Sequence, residues 1–461
     1  MSDTCYSCRC TVRLCILLWF ALYLSLATQT LAATIAVTNT NDSGPGSLRQ
    51  ALRAANDGDT ITFAVTGTIG LTSGGLPVNK SLTISGPGKD QLSVDGNQAF
   101  LVFGVFFDKT ATISGLTIRN AQTGIWNEGG HLTVSNCVVS GNSGGGIYSH
   151  YRELAVVHCN VSGNSYGIYS DHSEASVTNC IINSNQYGGV FNNGTTGGPN
   201  DQIFGFAPLT IADSIINNNF GPGVDNNAGF VTIIDTTISG NSVTEGHSGV
   251  GGGVHTYLGG GKIPGRLTVM NSTISGNFAS SDGGGIACGE SGLTIVNSTI
   301  SGNSAGAYGG GIVAESFGMR IVNSTVSGNS AATCGGVCGG IVEIANTILN
   351  ANLAGNIDGA VTSHGYNISS DDGGGLLTGP GDQINTDPLL GPLRDHGGPT
   401  LTHMPMRGSP AIDAGDPNTP PPLHDQRGAC FLGIFGPRTD VGSVETQPRP
   451  QCVTPAPRPT R

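Results

Sequence analysis

Apolar residues along this chain alternate with polar ones in short runs, three to five residues long, that are broken by Asn and Gly before they lengthen. The runs are rich in Val, Ile and Thr, the residue types that fit a pleated, half-buried surface, so they predict strands and not helices. The runs also repeat. Leu267–Asn277 (LTVMNSTISGN), Leu293–Asn303 (LTIVNSTISGN) and Arg320–Asn329 (RIVNSTVSGN) are nearly the same segment, and degenerate copies extend in both directions. Aligned on their first Asn, the copies place Asn136, His158, Asn179, Asp213, Asp235, Asn271, Asn297, Asn323 and Asn346 in one register. The steps are 22, 21, 34, 22, 36, 26, 26 and 23 residues, a base period near 22 with insertions in some copies. Each copy is followed by a glycine-rich turn and a Gly-Gly-Ile or Gly-Gly-Val strand, as in Gly283–Ile286 and Gly309–Ile312.

A 22-residue period with about three short strands predicts one coil of a single-stranded, right-handed parallel β-helix, each strand pairing with its equivalent in the next coil. Asn and Gly stand where the chain turns through left-handed conformations, and stacked Asn residues of the aligned column are expected to hydrogen-bond from coil to coil. A leucine-rich repeat is excluded by the absence of a recurring Leu-x-x-Leu-x-Leu pattern. Open coil ends need caps. Ser47-Leu48-Arg49-Gln50 resembles a capping box that opens a short amphipathic helix, with Leu48 and Leu52 on one face and Gly58 just beyond. The expected organisation is a signal peptide at 1–33, an N-terminal helical cap at 34–80, β-helix repeats at 81–355, an irregular C-terminal cap at 356–445 and a Pro-rich disordered tail at 446–461. The C-terminal cap is expected to close the far end of the stack.

Composition narrows the function classes. Glycine accounts for 74 of 461 residues without a three-residue period, which excludes collagen, and only 11% of residues are charged, which excludes an acidic disordered chain. Nineteen Lys and Arg against 31 Asp and Glu give a formal charge of −12, unfavourable for nucleic acid and for anionic membranes. Arg9 and Arg13 precede an apolar run from Leu14 to Ala27, followed by Thr30-Leu31-Ala32, as in a secretory signal. That run is short of the roughly 20 residues needed to span a bilayer. The mature protein is therefore expected outside the cytoplasm, secreted or at the cell surface, outer-membrane association included, with no integral membrane segment once the signal is removed. In an exported chain the cysteines outside the signal permit disulfides, and the pairs to test are Cys334 with Cys338 and Cys430 with Cys452. Cys137, Cys159 and Cys180 share one inward position in successive coils and are expected to pack as thiols.

The segments have relatives in pattern. Asp42–Phe63 (DSGPGSLRQALRAANDGDTITF) resembles the N-terminal segment of bacterial CSLREA-type surface proteins, with Gly46 where the name-giving Cys would stand. Asp387–Pro417, Asp425–Gly428 (DQRG) and Asp440–Glu445 (DVGSVE) resemble the choice-of-anchor Q domain, and the copies between are similar to right-handed parallel β-helix repeats. The resemblance implies a secreted or surface-displayed protein without a defined reaction. It departs from the pattern in carrying no readable sorting signal. Pectate lyases and polygalacturonases share the expected fold, which by itself licenses no activity.

Strand alternation then selects the outward side chains. With the Ile or Val of each Gly-Gly-Ile strand pointing in, the next residues point out: Trp126, Tyr148, Tyr169, Phe191, Asp225, His255, Ala287 and Val313. Two residues further on, the outward row reads Glu128, His150, Asp171, Asn193, Asn227 and Tyr257. An aromatic column beside a polar, partly acidic one is the composition of a saccharide groove: rings stack on sugar faces, while carboxylates and amides take hydroxyls. The ligand-binding candidates are Trp126, Tyr148, His150, Tyr169, Phe191, Asp225 and His255. The plain structural reading is that aromatics favour exposed β faces, or that the insertions at Gly194–Pro208 and Ser242–Arg266 cover them.

A lyase would need acidic residues for Ca²⁺ and a base beside the reacting carbon, roles for which Glu128, Arg152 and Asp171 are candidates. No paired-Asp or Gly-His-Gly motif accompanies them. Asp213 and Asp235 fall at one ladder position of adjacent coils and are metal candidates, with the simpler reading that Asp replaces Asn at the same bend. His247 and His255 lack a third ligand, and Asp371-Asp372 reads as a solvated turn. No cofactor is implied, with Ca²⁺ the ion these carboxylates would accommodate. The reading favours a non-catalytic, adhesin-like scaffold that binds glycan or a surface; the alternatives are a lyase or hydrolase acting on an acidic polysaccharide, and a structural spacer.

Overall fold

The computed structural model describes residues 32–194, 207–245, 249–259, 264–315 and 317–448. Residues 1–31 of the expected signal peptide, most of the Gly194–Pro208 insertion, His247, Cys452 and the end of the Pro-rich tail lie outside the described residues.

Each repeat makes three strands. Ile125–Glu128, His131–Ser135 and Val138–Ser140 form one coil, and Gly145–His150, Leu154–Val157 and Asn160–Ser162 form the next. Ile125 pairs with Ile147, Leu132 with Leu154 and Val139 with Val161, all in parallel. The third strands build a 13-stranded parallel sheet, one strand per coil, while the first and second strands join in a 24-stranded sheet. Alternation decides the core. Ile125, Ile147, Ile168, Val190, Val224, Val254, Ile286 and Ile312 are fully buried in one column that runs the length of the stack.

Two polar columns stitch the interior. The first Asn of each copy, and the His or Asp that replaces it, sits at the turn with φ between 47° and 55° from Asn136 to Asn346. Asp213 and Asp235 occupy this bend like their Asn equivalents. Burial and then the neighbouring Asp213 charge raise the Asp235 carboxyl above its usual range, and Asp213 and Asp235 are outside the one three-residue metal-compatible group among the described residues. The principal amide ladder is therefore not the aligned column but the second Asn, the one in Ser-Gly-Asn. Asn142, Asn164, Asn185, Asn219, Asn241, Asn277, Asn303, Asn329 and Asn352 are buried, and each Nδ2 donates to the next Oδ1 at 2.8–3.1 Å. Each Oδ1 also accepts the backbone N–H of the preceding ladder Asn, so one side chain satisfies two donors.

A second inward column follows the turn. The Cys180 N–H points to Ser214 Oγ at 3.1 Å, Ser272 N–H to Ser298 Oγ at 3.2 Å and Ser298 N–H to Ser324 Oγ at 3.3 Å. Cys137, Cys159 and Cys180 begin this column as free, buried thiols. Cys334 and Cys338 form a disulfide with Cα atoms 6.0 Å apart; the other expected pair reaches Cys452, outside the described residues.

At the N-terminus the helix α1 (Leu48–Ala54) is capped by Ser47, whose side chain accepts from Gln50 N, while Gln50 Oε1 takes the Gly46 N–H at 2.9 Å. Leu48 and Leu52 are buried against the first coils. Coil strands begin earlier and end later than the expected repeat boundaries. Thr34–Val37 already pairs with Thr60–Phe63, and Ile357–Gly365 and Ile368–Ser369 still pair with the coil before them.

The C-terminal region does more than close the stack. It folds back along the outer side of the third-strand sheet, where Thr273 Oγ1 donates to Leu401 O and Thr299 Oγ1 to Gln426 Oε1, at 2.5 and 2.6 Å. Ser443 Oγ lies 3.1 Å from Thr299 Oγ1 and 3.2 Å from Thr325 Oγ1. Thr273, Thr299 and Thr325 are consequently buried, whereas the equivalent Thr237 of an uncovered coil is half-buried. Asp371 is also not a solvated turn. Its carboxylate accepts from Asn356 N at 2.9 Å and from Ser369 Oγ at 2.6 Å, ending the amide ladder, while Asp372 caps the short turn Gly373–Gly375.

Candidate functional site

Backbone register carries the outward residues into two adjacent columns. Trp126 pairs with Tyr148, Tyr148 with Tyr169, Tyr169 with Phe191, Phe191 with Asp225 and Asp225 with His255, with Ala287 and Val313 beyond. Ring centroids along the first four are 4.2, 4.8 and 4.5 Å apart, with interplanar angles of 6°, 14° and 24°. The spacing follows from the separation of paired strands, close to the contact distance of stacked rings.

This geometry corrects one expectation. The rings cover each other's faces, so a sugar cannot stack separately on each of them; they present an apolar ridge of edges to solvent. Only the ends of the stack differ. Trp126, 37% exposed, pairs on its far side with Gly104, so the ring column ends there, with the Leu101 and Phe106 side chains beside Gly104. Beyond Phe191 comes Asp225, whose Oδ1 lies 3.0 Å from His255 Nδ1. Tyr166 and Tyr187 add a second aromatic row at the preceding turn, with centroids 5.3 Å apart, and Tyr166 meets Tyr169 edge-on.

The polar column is continuous. His150 Nδ1 lies 3.4 Å from Glu128 Oε1 and His150 Nε2 lies 3.0 Å from Asp171 Oδ2. Asn193 Nδ2 donates to Asp171 Oδ1 at 2.7 Å, and Asn227 Nδ2 donates to Asn193 Oδ1 at 3.1 Å. Two hydrogen bonds tie the columns together, from Trp126 Nε1 to Glu128 Oε2 at 2.9 Å and from Tyr148 Oη to Asp171 Oδ2 at 3.4 Å. Burial, then the Asp171 charge, pushes the Tyr148 phenol well above its usual range, and burial with the same charge pushes Tyr169 up to about 12. Tyr148 is therefore a hydrogen-bond donor at neutral pH and not a base. Burial works against the Asp171 carboxylate, but hydrogen bonds from His172 and Asn193 and the nearby imidazoles hold it below its usual range.

Of the residues considered for chemistry, Glu128 and Asp171 are brought onto one imidazole. Arg152 is engaged elsewhere, with its guanidinium 3.0 Å from Asp108. Asp213 and Asp235 lie at the left-handed bend described above, Asp213 exposed and Asp235 half-buried. The strand alternation missed His172, which stands one residue past the outward row in the left-handed turn, with φ 52° and Nδ1 2.8 Å from Asp171 Oδ1. Its signal was available: that turn holds Gly129 and Gly194 in neighbouring coils, but Tyr151 and His172 in the two between.

A family described as the right-handed beta helix region matches residues 103–264. The chain is a right-handed parallel β-helix. Among solved structures, this β-helix is similar to the A-module of mannuronan C-5 epimerase AlgE6 of Azotobacter vinelandii, at 15% identity and TM-score 0.54 over 71% of this chain and 99% of that one. It is also similar to PfbA, a surface adhesin of Streptococcus pneumoniae, at 11% identity and TM-score 0.44 over 70% and 91% of the two chains. Pectate lyase Pel9A aligns at 14% identity and TM-score 0.41 over 91% and 97%. The fold is what these likenesses share. A search of the curated proteins returns no match. Among the described residues no helix is long and apolar enough to cross a membrane.

Proposed function

We propose that this β-helix is a secreted or cell-surface scaffold that binds a polysaccharide along its outer face without turning it over. The observation that carries the reading is the unbroken outward stack from Trp126 to Phe191 with the hydrogen-bonded column from Glu128 to Asn227 beside it. A coil rise near 4.8 Å is about the length of one sugar unit, so a glycan laid along the stack meets the same pair of columns at each residue. The apolar ridge, with the exposed part of Trp126 at its end, suits C–H-rich sugar edges. Carboxylates and amides accept and donate to hydroxyls. The absence of a clustered Arg or Lys among the residues named in these two columns favours a neutral glycan over an acidic one. Surface display is supported by the resemblance of Asp42–Phe63 to CSLREA-type segments and of Asp387–Glu445 to choice-of-anchor Q domains.

Affinity electrophoresis through a panel of neutral and acidic polysaccharides tests the reading. The wild-type chain is expected to be retarded by a neutral glycan, and Trp126→Ala combined with Tyr148→Ala to weaken retention about tenfold. Unchanged retention in the double variant would defeat the groove. Release of unsaturated uronate from an acidic polysaccharide, with or without Ca²⁺, would replace the binding reading with the lyase alternative.

A further inference from the structure

Beside the aromatic stack the fold brings two imidazoles onto one carboxylate, an arrangement that binding of sugar hydroxyls does not call for. His150 ends one strand, Asp171 ends the strand of the next coil and His172 begins the turn after it. One ligand atom from each lies within 4.8 Å of the other two. His150 Nε2 is 3.0 Å from Asp171 Oδ2, and His172 Nδ1 is 2.8 Å from Asp171 Oδ1, so each carboxylate oxygen faces a different ring. The three side chains are 13–19% exposed, sunk into the face yet reachable from solvent.

We propose that His150, Asp171 and His172 form a binding site for a divalent transition-metal ion of the Zn²⁺, Co²⁺ or Ni²⁺ class. The surroundings of the three residues support the assignment independently of their proximity. A ligating imidazole ordinarily gives its other N–H to a carboxylate or carbonyl, which fixes the ring and the tautomer. His150 has that partner: Glu128 Oε1 lies 3.4 Å from Nδ1, leaving Nε2 directed at Asp171. Glu128 is in turn held by Trp126 Nε1, and Asp171 is held by Asn193 Nδ2 and Tyr148 Oη, so the first ligands rest on a second set of fixed groups. To ligate, His150 Nε2 and His172 Nδ1 must both present lone pairs, so the cation takes the place of the proton each directs at Asp171. The His150 proton leaves to solvent, the Nδ1–H of that ring staying on Glu128, and the His172 proton leaves to solvent or moves to its own Nε2. Two nitrogens and one oxygen suit borderline cations, whereas Ca²⁺ takes six to eight oxygens and is a poor fit. Three protein donors leave coordination positions open toward solvent on the proposed glycan face.

The site is tested with the metal alone, on the full chain after EDTA treatment. Titration with Co²⁺, followed by visible d–d absorption, is expected to saturate at one equivalent and to be displaced by Zn²⁺. His150→Gln and His172→Asn should each weaken Co²⁺ binding about 100-fold. Asn tolerates the left-handed backbone at residue 172, so circular dichroism should show both variants folded. Asp213→Asn with Asp235→Asn should bind Co²⁺ as wild type does. Absence of saturable binding below about 1 mM Co²⁺ would overturn the proposal, as would stoichiometric binding that survives both histidine substitutions. No glycan enters the measurement, so its failure would leave the polysaccharide reading standing.

Discussion

Replacing Asn277 with Ala is expected to cost about 4 kcal/mol or more, enough to unravel the coils on either side of it. Asn277 Oδ1 accepts from the Asn241 backbone N at 3.0 Å and from Asn241 Nδ2 at 2.9 Å; its own Nδ2 donates to Asn303 Oδ1 and to Ile238 O, both at 3.0 Å. The truncation strands Asn241 N and takes one partner each from Ile238 O and from Asn241 Nδ2, which keeps Ile216 O, in a column that excludes water. A stranded group costs roughly 1–3 kcal/mol, the lost hydrogen bonds add to it, and the site cannot collapse because the backbone spacing is set by the strands on three sides. Asn183→Ala, at a partly exposed third-strand position, should cost under about 0.5 kcal/mol. Urea denaturation of the two variants, with hydrogen exchange to locate the opening, makes the comparison. Similar midpoints for both would remove the ladder from the account of stability.

Raising the pH from about 4.5 to about 7 is expected to loosen the C-terminal segment from the coils. Burial pushes the Glu445 carboxyl up to about 7, against two backbone donors, Asp440 N and Phe435 N, that favour its ionised form. Asp440, itself raised mainly by burial, and Asp413 add negative charge beside it, while Asp425 is buried against Arg427. A carboxyl whose folded pKa lies above its unfolded value stabilises the fold fully below the unfolded value, and that contribution is lost as pH rises through the folded one. For Glu445 the loss is about 2 kcal/mol once solvent screening is allowed for. Asp42 works in the opposite direction: burial opposes its charge, but hydrogen bonds from Arg49, Ser73 and Thr72 hold it down to about 2, so its contribution disappears in stronger acid. The thermal midpoint should therefore peak near pH 5, and limited proteolysis after residue 385 should speed up toward pH 7. Glu445→Gln should flatten the neutral limb of that profile. A wild-type profile that rises between pH 5 and 7 would contradict the assignment.

The parts of the fold that were legible in the sequence are those in which one period determines everything. A strand reverses its side chains every residue and a coil repeats near 22, so once Ile125, Ile147 and Ile168 are inward, the outward neighbours Trp126, Tyr148 and Tyr169 have no freedom to be elsewhere. The same periodicity could not say which of two recurring Asn residues is buried. Both Asn271 and Asn277 return at each copy, and only the path of the chain through the left-handed turn at Asn271 places Asn277 inside. His172 escaped because it belongs to a turn, where alternation has no meaning. The fold-back of the C-terminal region was hidden because that region has no repeat. Its trace was nevertheless present: three copies are nearly identical where Thr273, Thr299 and Thr325 must all fit the same covering segment. The ring-on-ring stacking follows from strand spacing, a distance that a list of outward residues does not contain.

Trp126 offers the most direct reading of the central claim, that the outward stack is where a glycan sits. The chain has two tryptophans, and Trp19 falls within the expected signal peptide, so in a protein produced without residues 1–33 the indole at the end of the stack is the sole tryptophan emitter. Titration with oligosaccharides from the retarding polysaccharide should then give a saturable blue shift in emission, lost in Tyr148→Ala. Emission that stays constant while the same oligosaccharide binds would place the glycan elsewhere on the molecule and contradict the account.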